Sequence, residues 1–378
     1  METLNVLHVL RAPVGGLFRH VLDLTREQVA RGHRVGIVAD SRTGGAHAEQ
    51  VLRTLTPSLA LGLSRVPMWR HGNPADFWAL GHVMRRVAES KADVVHGHGA
   101  KGGAYARLSF GRSRAVRAYT PHGGSLLFGH ETLAGKFYLA TERLLMLRGD
   151  LFLFESAYSE EVFRRKIGNP KGLVRVVHNG VACSEFAPIL ARNTATDLVF
   201  LGELRPVKGV DVLIDAIALL HREGRAVTAT LVGSGPERGA LEAQAQRLGL
   251  ASAIRFMPAM PGREALPLGR VMVVPSRSES LPYVVLETAA GGKPLIATRV
   301  GGVPEIYGPL ADRLVPPRDA AALARAIAEA LDDPRTAANV AAKLRDRVAA
   351  SFSVQTMVDG VLAGYRDALA ALQEAGRR

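Results

Sequence analysis

The sequence predicts an α/β protein of two Rossmann-like domains, each a doubly wound parallel sheet wrapped in helices, facing one another across a cleft. Three observations carry this. The chain has 378 residues, too many for one ordinary domain and enough for two that each bury a core. Short apolar runs alternate with helical periodicity along most of it, the pattern of parallel β-α units. That alternation breaks at Glu185 to Thr196, where proline and polar residues interrupt it, and then resumes.

Taken in order, Asn5 to Val9 reads as a strand that ends in Pro13 and the Gly15-Gly16 pair, followed by a helix from Leu17 to Ala30 that Gly32 stops. Val35 to Ala39, Val94-Val95, Ala115 to Tyr119, Leu151 to Phe154 and Leu173 to Val177 repeat the short apolar run, with helical segments between. Right-handed crossovers stack such units into one sheet with ligands at the carboxyl ends of its strands. Beyond the break, strands are expected at Leu198 to Leu201, Thr228 to Val232, Ile254 to Phe256, Val271 to Val274 and Leu295 to Ala297. One helix carries Leu213, Ile217 and Leu220, and another runs from Glu237 to Leu248 with Gly249 as its cap. The tail, Ala320 to Leu331 and Val340 to Leu372, is helical throughout and is expected to pack over the domain junction.

An apolar share of 47% with 22% charged and 6% aromatic residues is that of a globular protein, not of a disordered or fibrous one. No apolar run approaches the roughly 20 residues needed to span a bilayer, and Met1 to Gly16 lacks the order of a secretion signal, so a cytoplasmic protein is expected. The lone Cys183 has no cysteine partner and reads as an ordinary packed residue. The net charge of +13 is uneven, for residues 1–190 carry 25 Lys and Arg against 15 Asp and Glu. Such a field attracts nucleic acid, anionic lipid or a phosphorylated substrate. Zinc-finger spacing and RNA-binding aromatic signatures are both lacking, which disfavours nucleic acid.

Chemistry concentrates in the segment from Val274 to Glu287, which reads strand, loop, helix. Ser280 is placed to cap the helix and Pro282 to occupy its first turn, leaving the N–H groups after Leu281 and Pro282, those of Tyr283 and Val284, as a seat for a diphosphate. Glu279 and Glu287 flank that seat. Carboxylates repel phosphates, so their partners would be hydroxyls, of a sugar on one side and a ribose on the other. The plainer reading is a pair of solvated acids at a positive helix end, worth about 0.3–1 kcal/mol each. Gly233, Gly235 and Pro236 form a glycine loop between strand and helix that allows a nucleotide to approach the backbone, and Gly15 and Gly16 do the same in the first domain. His122 follows another strand end. His96 and His98 end a strand too; two histidines without a nearby carboxylate are too few for a metal site, so acceptor contact or cleft lining suits them and Lys101 better.

The Glu279-x7-Glu287 spacing, the Gly291-Gly292-Lys293-Pro294 turn, Ala297 to Glu305, Gly15-Gly16, His178 to Val181, Gly202 to Gly209 and Val232 to Glu237 together resemble the retaining glycosyltransferases of family 4, which have the GT-B fold. The resemblance implies that residues 1–188 form an acceptor-side domain, 189–352 a donor-binding domain, and 353–378 a helix returning over the junction. It implies a nucleoside-diphosphate sugar as donor, UDP- or GDP-linked, with no obligatory cofactor and no metal. Lys208 falls on the family's diphosphate lysine. Its arginine position holds Glu203 instead, so Arg205 is expected to supply the guanidinium. Glu279 would orient the donor sugar, Glu287 the ribose, and His122 would lie beside the sugar. The acceptor is expected to be a carbohydrate or lipid-linked hydroxyl in bacterial polysaccharide synthesis. Basic clusters at Arg107, Arg112, Arg114 and Arg117 and at Arg164 to Arg175 flank an apolar helix, Phe137 to Leu147, and would suit peripheral attachment to an anionic membrane. Two rivals stand beside this: a nucleotide-sugar epimerase on the same fold, and a non-catalytic binder of anionic lipid or nucleic acid.

Overall fold

The structure is a computed structural model that describes residues 2–109, 115–124, 129 and 131–377, the side chains of 376 and 377 excepted. It divides into two compact units, Met1–Asn179 with Val354–Arg378, and Gly180–Ser353.

In the first unit the chain runs β1 (Asn5–Leu10), α1 (Gly15–Ala30), β2 (Arg34–Asp40), α2 (Gly45–Leu55), β3 (Leu63–Val66), α3 (Asp76–Glu89), β4 (Val94–His98), α4 (Gly99–Leu108), β5 (Val116–Thr120), α5 (Leu133–Met146), β6 (Leu151–Phe154), α6 (Ala157–Lys166) and β7 (Leu173–Val176). The sheet order is β3-β2-β1-β4-β5-β6-β7, every pairing parallel. The strands read as near-continuous apolar runs because helices cover both faces. Leu7, Val9, Val38 and Val95 fill one side, and Leu10, Phe18, Val35 and Ile37 the other. Chain order reverses between β1 and β4, which makes their carboxyl ends the switch point of this sheet.

The second unit runs β8 (Thr196–Leu201), α7 (Val210–Arg222), β9 (Ala229–Val232), α8 (Arg238–Arg247), β10 (Ile254–Met257), α9 (Gly262–Ala265), β11 (Gly269–Val274), α10 (Tyr283–Ala290), β12 (Leu295–Ala297), α11 (Val303–Tyr307), α12 (Ala320–Asp332) and α13 (Pro334–Ser351). Its parallel sheet has the order β10-β9-β8-β11-β12, with the reversal between β8 and β11.

Four details depart from the sequence reading. The sequence reading did not anticipate β3, an edge strand of four half-buried residues with no apolar face to announce it. The tail is not one helical stretch: it breaks at Phe352, whose side chain is buried in the second unit's core while Ser353 bridges to Val181. The final helix α14 (Val354–Arg377) then packs against α1, β5, β6 and β7 of the first unit, whereas α12 and α13 belong to the second. The units part at Asn179, before the expected boundary at 188, because Val181 donates its backbone N–H to the Phe352 carbonyl and joins the second core. Cys183 is exposed rather than packed, since it opens a 3₁₀ turn, Cys183–Phe186, in the polar connecting segment.

Deep in the first unit, the fully buried Arg107 of α4 pairs with Glu142 of α5 at 2.9 Å, donates to the Gly103 carbonyl, and lies 3.8 Å over the Tyr119 ring. Tyr119 donates its hydroxyl proton to Glu142. This predicted surface cation is therefore a core group. Of the same cluster, Arg117 forks onto Asp150, just before β6, while Arg112 and Arg114 lie outside the described residues.

Candidate active site

In the second unit the switch point gathers the loops that follow β8 and β11. The chain leaves β8, makes a 3₁₀ turn over Pro206–Lys208 and enters α7. The Lys208 ammonium donates to the Glu279 carboxylate at 2.7 Å, and the Ser276 hydroxyl donates to the same oxygen, also at 2.7 Å. A lysine and a glutamate 71 positions apart thus meet where an open α/β sheet binds its ligands.

Several bonds hold this pair in place. Arg277 donates its backbone N–H to Val207 and a guanidinium N–H to the Pro206 carbonyl, and its guanidinium also pairs with Asp211. Thr298 donates its hydroxyl to the Ser276 carbonyl, and Gly302 its N–H to that of Ser280. Gly301 has φ +56°, and a Cβ there would overlap the Glu279 carbonyl. Gly301→Ala is expected to displace Glu279 and lower kcat/KM about 100-fold, because misplacement by an ångström carries that cost. Steady-state kinetics with an unchanged unfolding midpoint would separate this from global damage.

Other expected site residues are placed as follows. Helix α10 begins at Tyr283, with Pro282 in extended backbone at the cap position and no side-chain cap bond. Ser280 is thus not the cap, since two residues separate it from the first helical turn. The start of α10 lies beside the buried Leu281 and Pro282, and the Val285 N–H closes onto the Pro282 carbonyl. Glu287 lies in the second turn, its carboxylate next to Gly262. Arg205 is exposed and, among the described residues, its guanidinium reaches only Glu203, at 3.5 Å, so that side chain is not joined to those of Lys208 and Glu279. Gly233 and Gly235 lie against the backbones of Gly202 and Leu204, which accounts for their missing side chains within the chain itself; Pro236 beside them is exposed. Lys293 of the glycine-rich turn is buried, donates to the Gly269 carbonyl at 2.5 Å, and is drawn down to about 8 by burial.

The first unit's switch point holds five imidazoles. His8 comes from β1, His20 from α1, His96 and His98 from β4, and His122 from the turn after β5. His8 Nδ1 and His98 Nε2 are 3.0 Å apart, and His98 Nδ1 and His122 Nε2 3.1 Å. His8 Nε2 meets Gln28 Oε1 at 2.9 Å, and His20 Nδ1 meets Asn179 Oδ1 at 3.0 Å. His96 joins the Tyr365 hydroxyl of α14 and the Thr120 hydroxyl. His122 has φ +51°, rare outside glycine. Sequence reasoning missed His8 and His20, whose only signal is their position after or within the first strand. Lys101 is committed elsewhere: it pairs with Asp76 and donates to the Trp69 and His71 carbonyls.

One nitrogen from each of His8, His96 and His98, and likewise from His20, His98 and His122, lies within 4.8 Å of the others. Both ring nitrogens of His8, His96 and His98 are already hydrogen-bonded, so a metal would have to break bonds that satisfy the cluster. Burial draws His8 and His20 down to about 4 and holds His96, His98 and His122 well below the ordinary histidine range, which keeps the rings neutral at pH 7. Below pH 6.5 the unfolded chain binds protons that the folded unit refuses. Stability therefore falls with falling pH below the ordinary histidine range, as these groups take up protons in the unfolded chain alone. Both tryptophans, Trp69 and Trp78, belong to the first unit, so urea unfolding followed by their fluorescence at pH 7 and pH 5 reads this loss.

The chain is similar to known glycosyltransferases over most of its length. A glycogen synthase of Mycobacterium tuberculosis (strain ATCC 25618 / H37Rv) is 28% identical over 378 residues, covering 93% of this chain and 91% of that one. A D-inositol 3-phosphate glycosyltransferase of Saccharomonospora viridis is 29% identical over 308 residues, 74% of this chain and 71% of its own. Sucrose-phosphate synthase from Thermosynechococcus elongatus superposes with a TM-score of 0.78 at 23% identity, covering 97% of this chain and all of that one. HepE of Anabaena, in complex with UDP and glucose, gives 0.80 at 19% identity over 96% of this chain and all of its own. The protein is a glycosyltransferase of the GT-B fold that takes its sugar from a nucleotide-sugar donor. Its two parts match separate families: residues 14–185 match Glycosyltransferase Family 4, and residues 195–333 match Glycosyl transferases group 1.

Proposed function

We propose that the protein is a retaining, hexosyltransferase-like enzyme of glycosyltransferase family 4, and that its donor site is built on Lys208 and Glu279. The observation that carries this reading is their 2.7 Å contact at the switch point of the second sheet. Negative charge gathers on the diphosphate as the glycosidic bond breaks, and Lys208 neutralises it together with the N–H groups at the start of α10. Arg205 swings from Glu203 to the same phosphates. Glu279 orients the sugar through its hydroxyls, Glu287 holds the ribose, and His122 contacts the sugar from the first unit. No strong general acid is needed for a leaving group so compensated. HepE holds UDP in its crystal, so UDP-sugars come first in a screen of donors. Nucleotide release followed by mass spectrometry finds the donor, and the anomeric proton coupling of the product tests retention. Inversion of configuration sinks the family-4 assignment.

The same reading places the enzyme in the cytoplasm at the inner face of the membrane. Among the described residues, no helix is long and apolar enough to cross a membrane. Leu133, Phe137 and Leu144 of α5, with Leu147 at its end, recur at helical spacing and are 57–86% exposed, with Lys136 and Arg143 exposed among them. An apolar stripe edged by cations suits an anionic bilayer and, with it, a lipid-linked acceptor. Phe137→Glu with Leu144→Glu is expected to abolish co-sedimentation with anionic vesicles and to leave turnover of a water-soluble acceptor unchanged.

A further inference from the structure

We propose that Gln28 sets the tautomer of His122 through two intervening imidazoles, so that His122 presents an unprotonated Nδ1 to a substrate hydroxyl. The inference rests on the role given to His122 above. Four groups form one line: Gln28 Oε1, His8, His98 and His122, joined by contacts of 2.9, 3.0 and 3.1 Å. Gln28, His8 and His98 are buried, so no water interrupts the line, and only His122 at its end is partly exposed.

The proton order follows from the first link. An amide oxygen only accepts, so His8 Nε2 carries the proton and donates to Gln28. Neutral His8 then has a bare Nδ1, which accepts from His98 Nε2–H. Neutral His98 has a bare Nδ1 in turn, which accepts from His122 Nε2–H. The last ring is left with a lone pair on Nδ1, and among the described residues none hydrogen-bonds that atom. Each bond holds one proton and each ring one N–H, so the line carries no charge, in keeping with the burial that disfavours imidazolium here, while the buried Gln28 Nε2 meets no acceptor among the described residues. The reverse order requires the Gln28 amide to be turned end for end, with its nitrogen donating to His8; every ring would then shift its proton, and His122 would offer Nδ1–H. The two arrangements differ in what they recognise. A bare Nδ1 accepts from a sugar hydroxyl, whereas Nδ1–H selects a carbonyl or carboxylate oxygen.

Gln28 is thus a positioning residue, buried and acting on His122 only through His8 and His98. The test is long-range nitrogen–proton correlation spectroscopy on the EDTA-treated, nitrogen-15-labelled protein, which reads the protonation of each ring nitrogen without any turnover. The His122 signals are assigned by their loss in His122→Asn. In the wild type, Nε2 of His122 is expected to carry the proton and Nδ1 to be bare. In Gln28→Leu the anchor is gone, the two orders become comparable, and kcat falls about twofold or more in proportion to the lost tautomer, with KM unchanged. Should Gln28→Leu fail to fold, His8→Leu cuts the line one link later and is read in the same way. A protonated Nδ1 on His122 in the wild type, or a tautomer indifferent to both substitutions, overturns the proposal. If the tautomers are as stated but His122→Asn turns over normally, the role given to His122 fails and the line of protons stands.

Discussion

Lys208→Ala is expected to lower kcat by about 10²–10³, the cost of deleting one group aimed at charge that develops in the transition state. The ammonium is a quarter exposed, and Glu279, which it contacts, lies three residues before Pro282 at the α10 cap. KM should change far less than kcat, because the charge on the phosphates grows as the bond to the sugar lengthens. Glu279→Ala breaks the same contact from the other side and removes the carboxylate proposed to anchor the sugar, so it too should reduce turnover steeply. The two residues act as a unit, and the double variant should cost about as much as the worse single one, not their product. Full additivity, or a Lys208→Ala enzyme with raised KM and normal kcat, would separate the lysine from the chemistry.

Arg107→Leu is expected to destabilise the first unit by about 3–5 kcal/mol. The substitution strands Glu142, a buried carboxylate that loses its cation while keeping only the Tyr119 hydroxyl. The paired change Arg107→Leu with Glu142→Leu removes both charges and should recover much of the loss, since an apolar pair of similar volume is tolerated where a lone charge is not. Tryptophan fluorescence again reports on the first unit alone. A single variant as stable as the wild type would mean that water reaches Glu142.

Strand and helix succession was legible because parallel strands covered on both faces are short apolar runs, which helical periodicity separates cleanly. The break at Phe352 was not legible in the residue pattern, although the family resemblance implied a separate final helix from 353, since Ser351-Phe352-Ser353 holds neither glycine nor proline and each side of it continues a helical pattern. Of the candidate site, Glu279 and Lys208 could be singled out by motif, and strand order then accounts for their meeting. The local function of Gly233 and Gly235 could not be read, for a glycine looks the same whether a ligand or the chain's own backbone approaches it. The histidine cluster was partly visible: His96, His98 and His122 stand out at strand ends, but His8 and His20 come from distant segments, and the five converge only because β1, β4 and β5 are neighbours. Arg107 misled because its charge reads as solvated, and the partner that takes it into the core is 35 residues away.

The C-terminal helix α14 belongs to the unit that begins the chain, and its Tyr365 hydroxyl meets His96 in the centre of the first sheet. During synthesis the ribosome releases that helix only after every residue of the second unit has emerged. The second unit is encoded without interruption and can close while translation continues, but the first, though made earliest, waits for the last helix to cover β5, β6 and β7. Birth order and completion order are therefore opposite, and a nascent chain spends its longest exposure with the histidine-bearing sheet uncovered.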